Sequence, residues 1–167
     1  MIRIDLTEDE ITAALERLSR SLTNTTPVMQ DIGELMVRST KQRFPEGRSP
    51  DGAAWLPKSP TTLAAYQARG DRMDFRPLFG PSGRLSSEIF YEVGPGGGSV
   101  EVGSNLIYAA VMQFGAAQGA FGATSRGGPI PWGPIPARPF LGVSEEDRTN
   151  ILATIDDWLQ TAVAGGD

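Results

Sequence analysis

The chain has no cysteine and no histidine among its 167 residues. That removes thiolate and imidazole chemistry together: no disulfide framework, no Cys/His zinc site, and neither Ser-His-Asp nor Cys-His catalysis. Carboxylates, Lys, Tyr or an oxygen-ligated metal are the chemistry that remains. No apolar run approaches the ~20 residues of a membrane span, and the opening MIRIDLTEDE is charged where a signal peptide would be apolar. The expectation is a chain kept in a cytosol-like compartment, without a membrane partner. A clustered basic face is missing too. Residues 1–83 hold 11 bases and 11 acids, residues 84–167 hold 4 bases and 9 acids, and the net charge is −5. An acidic second half is a poor phosphate reader, so no sequence-specific nucleic-acid partner is expected.

What is present is one domain's worth of chain with a large share of Gly (20) and Pro (13), long enough to build a core and to carry long irregular segments. Leu6 to Ile11 reads as a helix start: Thr7 caps, Glu10 completes the capping box, and Leu6 with Ile11 forms the staple. Ile11, Ala14, Leu15, Leu18 and Leu22 then make one apolar stripe ending near Thr23. Thr26-Pro27 predicts a second helix, capped by Thr26 and stopped by Pro45, with Val28, Ile32, Leu35 and Met36 inward. Arg38, Lys41 and Arg43 near its end read as a solvated, dipole-matched cluster.

Residues 45–60, PEGRSPDGAAWLPKSP, exclude any regular element but contain Trp55 and Leu56, which pin an ordered loop to a core. A short helix is predicted over 61–68, then an exposed linker to Pro77. RLSSEIFYEV, 84–93, alternates as a strand, and Val100-Glu101-Val102 is its antiparallel partner across the glycine-rich connection 94–98. Asn105 to Gly115 predicts a short helix with Ile107, Ala110, Val111 and Phe114 inward and Tyr108 as an anchor. The segment 115–138 is too long and too rich in Gly and Pro for an ordinary connection, yet holds Phe121, Ile130, Trp132 and Ile135. Residues 116–134 are expected to be poorly ordered in an isolated subunit and to order on a partner. Residues 139–143 are predicted to add a third strand. Ser144 then caps a last helix, opened by Glu145, Glu146 and Asp147, whose buried face is Ile151, Leu152, Ile155, Trp158, Leu159 and Val163.

The resulting expectation is one α+β domain over 1–167: a helical pair (7–44), a loop and short helix (45–80), a small antiparallel sheet with a long insertion at 115–138 (84–143), and a C-terminal helix (144–163). Two motifs that invite chemistry fail. GPGGGS at 94–99 lacks the Lys of a phosphate loop, and most acids lie at helix starts where the dipole explains them. A carboxylate pair for glycoside hydrolysis is a separation that sequence does not display. Arg138, enclosed in Ile135-Pro136-Ala137-Arg138-Pro139-Phe140-Leu141-Gly142, is either an internal bridge or a subunit contact.

The order of several strings resembles the phage virion morphogenesis family, the tail-completion proteins of Mu-like and related contractile-tailed phages. They are Phe44-Pro45 through Ser49-Pro50-Asp51-Gly52 and Trp55; Gly83-Arg84-Leu85; Val102-Gly103-Ser104 with Tyr108-Ala109 and Gln113-Phe114-Gly115; and Pro136 to Gly142. Relatives often carry a His just before Gln-Phe-Gly, where this chain has Met112. The resemblance implies a structural virion protein of the neck or tail end, made in the host cytoplasm, that completes the tail and joins it to the head. It implies a ring, commonly hexameric, touching neck, connector or tail-terminator proteins, with no catalysis and no cofactor. The competing readings are a transient assembly factor absent from the particle and a small carboxylate-based cell-wall hydrolase. Phe114, Trp132, Arg138 and Phe140 are the candidate contact residues, and Trp55 and Tyr108 the structural anchors.

Overall fold

The computed structural model describes residues 9–164. Six helices and a two-stranded antiparallel sheet make up the fold: α1 (Asp9–Thr23), α2 (Thr26–Glu46), α3 (Pro60–Arg69), α4 (Arg84–Ser87), β1 (Phe90–Val93), β2 (Val100–Gly103), α5 (Ala109–Phe114) and α6 (Glu145–Ala164). The α+β architecture holds, with a hairpin and three long helices as its frame. The cap and staple expected around Leu6 and Thr7 lie outside the described residues.

Helix α2 is the spine. It packs against the hairpin on one side and α6 on another. Val28, Ile32 and Met36 are buried at helical spacing, against Val100 and Val102 of β2 and Ile151, Ile155 and Trp158 of α6. Gly33 is what lets the sheet come so close: a Cβ there would lie 2.4 Å from a ring carbon of Tyr91. A second, larger cluster joins the end of α2 to the loops. Phe44 and Phe140, both 0% exposed, sit with Trp55, Leu78, Leu85, Ile89 and Ala109. The Phe44 ring meets Trp55 edge-on at 5.8 Å and Phe140 at 5.5 Å between centroids.

Several boundaries differ from expectation, each for a physical reason. Pro45 lies inside α2, which runs one residue further and ends on Gly47 in the left-handed conformation. Thr25, not Thr26, precedes the helix, and its hydroxyl donates to the Gly97 carbonyl at 2.6 Å instead of capping. The expected ten-residue strand from Arg84 is half helix. Leu85 and Ile89 are both buried, a four-residue spacing that satisfies a helical turn as well as an alternating strand. The hydroxyls of Ser86 and Ser87 return to the carbonyls of Gly83 and Arg84 and hold that turn. Only Phe90–Val93 pairs, in register Phe90 to Gly103, Tyr91 to Val102, Glu92 to Glu101 and Val93 to Val100. On α6, Leu152 faces outward, 62% exposed, although Ile151, Ile155 and Trp158 pack as expected.

Residues 139–143 form no third strand, because their backbone hydrogen bonds are taken by side chains. The segment 116–135 follows a defined path. It doubles back as a hairpin-like arm, with bridges Ala116 to Ile135 and Ala123 to Pro129 and backbone bonds from Phe121 N to Ile130 O and Ile130 N to Gly122 O, both 2.8 Å. Among the described residues, no helix is long and apolar enough to cross a membrane.

Candidate interaction site

The sequence strings that carry the resemblance meet at one junction. Gln113, in the last turn of α5, clamps the backbone of 140–141: its Oε1 accepts from Phe140 N at 2.9 Å and Leu141 N at 3.0 Å, and its Nε2 donates to Leu141 O at 3.0 Å. A carboxamide suits this because it pairs an acceptor with a donor on one rigid planar group. Gly115 ends α5 at φ 74°. A Cβ there would sit 2.7 Å from Ile135 O and 2.8 Å from Ala137 N, so the two feet of the arm touch where only glycine fits. One residue further, Arg138 N donates to Met112 O at 2.8 Å.

Below that clamp Arg138 is buried and spends its guanidinium on main chain, with Nε to Leu56 O at 2.8 Å and Nη2 to Pro57 O at 3.0 Å. Burial pushes its pKa down from the usual arginine value, and among the described residues no carboxylate is in reach to oppose that. The Trp55 indole returns the tie by donating to Pro139 O at 2.9 Å. Lys58 is bound the same way, its ammonium donating to the carbonyls of Asp74 and Phe79. The irregular segment 48–59 is thus fixed to 136–140 by side chains reaching carbonyls.

The other side of the junction is a buried ion pair. Arg43, from the last turn of α2, donates through Nη1 to Phe140 O at 2.8 Å and Gly142 O at 2.9 Å, and through Nη2 to Asp147. Burial lowers the Arg43 pKa, and Asp147 opposes that. For Asp147, burial pushes the carboxyl up, but hydrogen bonds from the Ser39 hydroxyl and from the Ser144 N–H and hydroxyl, together with the Arg43 charge, outweigh it. The carboxyl is held below the ordinary range. Ser144 caps α6, as its Oγ accepts from Asp147 N at 3.1 Å. Arg43 is therefore no part of a solvated helix end, and Asp147 is more than a dipole partner. The Ser-x-x-Asp spacing at 144–147 was the one sequence signal for it.

Outside this locked base stand several of the apolar side chains the fold leaves uncovered: Phe114 at 79% exposure and Trp132 at 78%, with Phe121 at 55% and Ile107 at 96%. The Gln118 amide donates to Trp132 O at 2.8 Å and fixes that part of the arm. Among the described residues, no cluster of three or more acidic side chains could hold a metal.

The family model for the phage virion morphogenesis family matches residues 6–160. The chain belongs to that family. It is similar to the Mu-like prophage FluMu G protein 2 of Haemophilus influenzae, with 32% identity over 164 residues, 98% of this chain and 99% of that protein. No solved structure gives a significant match. The chain is a phage morphogenesis protein, and the junction just described is where the strings typical of that resemblance do their work.

As a morphogenesis protein it divides the expected site residues in two. Phe114 and Trp132 are exposed and free to meet a neighbour, whereas Phe140 is wholly buried and Arg138 is 7% exposed. The last two are corrected to internal roles, because their atoms are already committed to the core and to the 56–57 carbonyls. Trp55 is buried as an anchor, and Tyr108, immediately before α5, is 38% exposed. Of the predicted inward face of α5, Ile107 and Phe114 point outward; Ala109 fills the core in their place. Sequence reasoning missed Gln113, Arg43 and Asp147 as determinants. Gln113 lay inside a quoted string, but nothing in its spacing shows what an amide clamps.

Proposed function

We propose that this morphogenesis protein is a non-catalytic structural subunit of the phage neck or tail end, which assembles head to tail into a ring, completes the tail and joins it to the head. The observation that carries the reading is the contrast between base and arm: a rigidly bonded junction holds out a segment whose largest apolar side chains are uncovered. Phe114, Phe121 and Trp132 at those exposures offer about 400 Å² of aromatic surface, taking ~200 Å² for each ring. A stable interface needs ~800 Å² per partner, so the arm together with Phe114 at the end of α5 supplies roughly half of one side. A ring of identical chains needs a projecting patch received by a different patch on the next copy, and an arm is such a projection. In support of a non-catalytic role, the buried carboxylate Asp147 is already neutralised by Arg43 and bonded by Ser144.

The test has two readings. The mass of the purified chain should be a multiple of 17.9 kDa, and the chain should be found in purified virions. A monomer at all working concentrations ends the ring. Absence from finished particles replaces the structural subunit with a transient assembly factor. A hydrolase would appear instead as a single Asp→Asn or Glu→Gln variant that folds and assembles yet yields dead particles.

A further inference from the structure

Two features of the surface have no partner among the described residues. On the outer face of the hairpin, Glu92 and Glu101 stand directly opposite each other across the two strands, both exposed. Among the described residues, no Lys or Arg lies within ion-pair distance of either. Like charges so placed weaken a strand pair, and a two-stranded sheet has little stability to spare. Beside them Phe90, 38% exposed, faces Gly103, where open space stands in place of a side chain. The hairpin therefore shows an apolar shelf next to a doubled negative charge. At the tip of the arm, in the turn closed by Gly127 N donating to Thr124 O at 2.9 Å, Arg126 is exposed and likewise unpaired among the described residues. It is the arm's one charge, set beyond Phe121 and Trp132.

From this complementarity we infer that the arm of one copy docks on the outer hairpin face of the next, with Arg126 between Glu92 and Glu101 and the arm's aromatic side chains over Phe90. The inference rests on the proposed ring and names its contact. A guanidinium carries a planar fork of donors and meets two carboxylates at once, relieving the repulsion that the free hairpin bears. The arm and the hairpin face are different patches of one chain, which is the requirement for a closed head-to-tail ring. The aromatic surface supplies the area, and the charges set the register.

Charge exchange in the full-length chain tests it, with oligomeric mass measured against concentration by light scattering and native mass spectrometry. Arg126→Glu and Glu101→Arg should each raise the subunit concentration for half-assembly at least ~10-fold, since each places like charges together at the contact. The combined Arg126→Glu/Glu101→Arg chain should recover most of that loss. Both positions are exposed, and circular dichroism melts no lower than the parent's confirm that the fold is intact, Glu101→Arg being free to melt higher because it also removes the repulsion from Glu92. Single variants that assemble like the parent, or a double variant no better than the singles, overturn the contact while leaving the ring. A parent chain that stays at 17.9 kDa removes the ring and this contact with it.

Discussion

Replacing Arg43 with Met keeps most of the apolar stem and removes the guanidinium. Four acceptors lose this donor at once: Asp147, Phe140 O, Gly142 O and the Ser39 hydroxyl. Breaking a buried pair from one side costs about 3–5 kcal/mol, and two carbonyls losing their donor push the cost toward the upper end. A chain of this length loses roughly 2–4 °C of Tm per kcal/mol, so Arg43→Met should melt roughly 10–15 °C below the parent. Asp147→Asn is milder, about 2 kcal/mol, because the amide still accepts from Ser144 while the charge on Arg43 keeps two carbonyls. Urea denaturation of both singles and the double variant supplies the assay. The double should cost clearly less than the two singles added, since the pair is one interaction removed twice. The pH dependence has a definite sign. The Asp147 carboxyl lies below its unfolded value, so its stabilisation is complete above the ordinary carboxylate pKa and is lost as pH falls through the native one. Asp147→Asn should flatten that acid limb. Singles costing under ~1 kcal/mol, or strictly additive losses, would refute the reasoning.

Trp55→Ala should cost about 3–5 kcal/mol by denaturant midpoint, from the lost ring contact with Phe44 and the bond to Pro139 O; a normal midpoint with failed assembly would instead place Trp55 at an interface. Gln113→Leu strands the N–H groups of Phe140 and Leu141 and should cost about 2–4 kcal/mol in the same urea titration. Gln113→Glu keeps both acceptor bonds but sets a carboxylate oxygen against Leu141 O, and should cost less than Gln113→Leu at pH values low enough to protonate it and donate to that carbonyl. The Asp74 carboxyl, hydrogen-bonded by Arg76, is drawn down to about 2 and should titrate there by NMR. In Arg76→Ala its midpoint should rise toward the ordinary value of ~3.9, and an unmoved midpoint would refute the assignment.

The long helices and the hairpin were legible because each repeats one period: Val28, Ile32, Leu35 and Met36 mix three- and four-residue spacings, which a helix puts on one face and an alternating strand does not, and Val100-Glu101-Val102 alternates as a strand. The region 84–89 was not, because residues four apart share a face under both periods; serine hydroxyls bonding back three residues settled it. The third strand failed for another reason. Residues 140–141 have strand-like composition, but their N–H groups go to the Gln113 amide, a long-range choice that no local pattern encodes. The site shows the same limit. Exposed Phe114 and Trp132 were named from residue type and loop context, and that reasoning does not separate them from Phe140, which is as apolar and wholly buried. Arg43 was misread because a basic residue in a last helical turn has a sufficient local explanation, while its partner lies 104 residues away.

That distance reaches into the chain's synthesis. Arg43 leaves the ribosome about a hundred residues ahead of Asp147, and Phe140, which shares the Phe44 cluster, is nearly as late. Until then the end of α2 has neither its counter-charge nor the ring that closes its core, and contacts of such separation form late. A nascent chain halted short of Asp147 should stay protease-sensitive along α2, whereas one released with α6 complete should become resistant. Closure of this core then waits on synthesis of α6, and a product truncated before Asp147 lacks both the counter-charge and the helix that hold the end of α2.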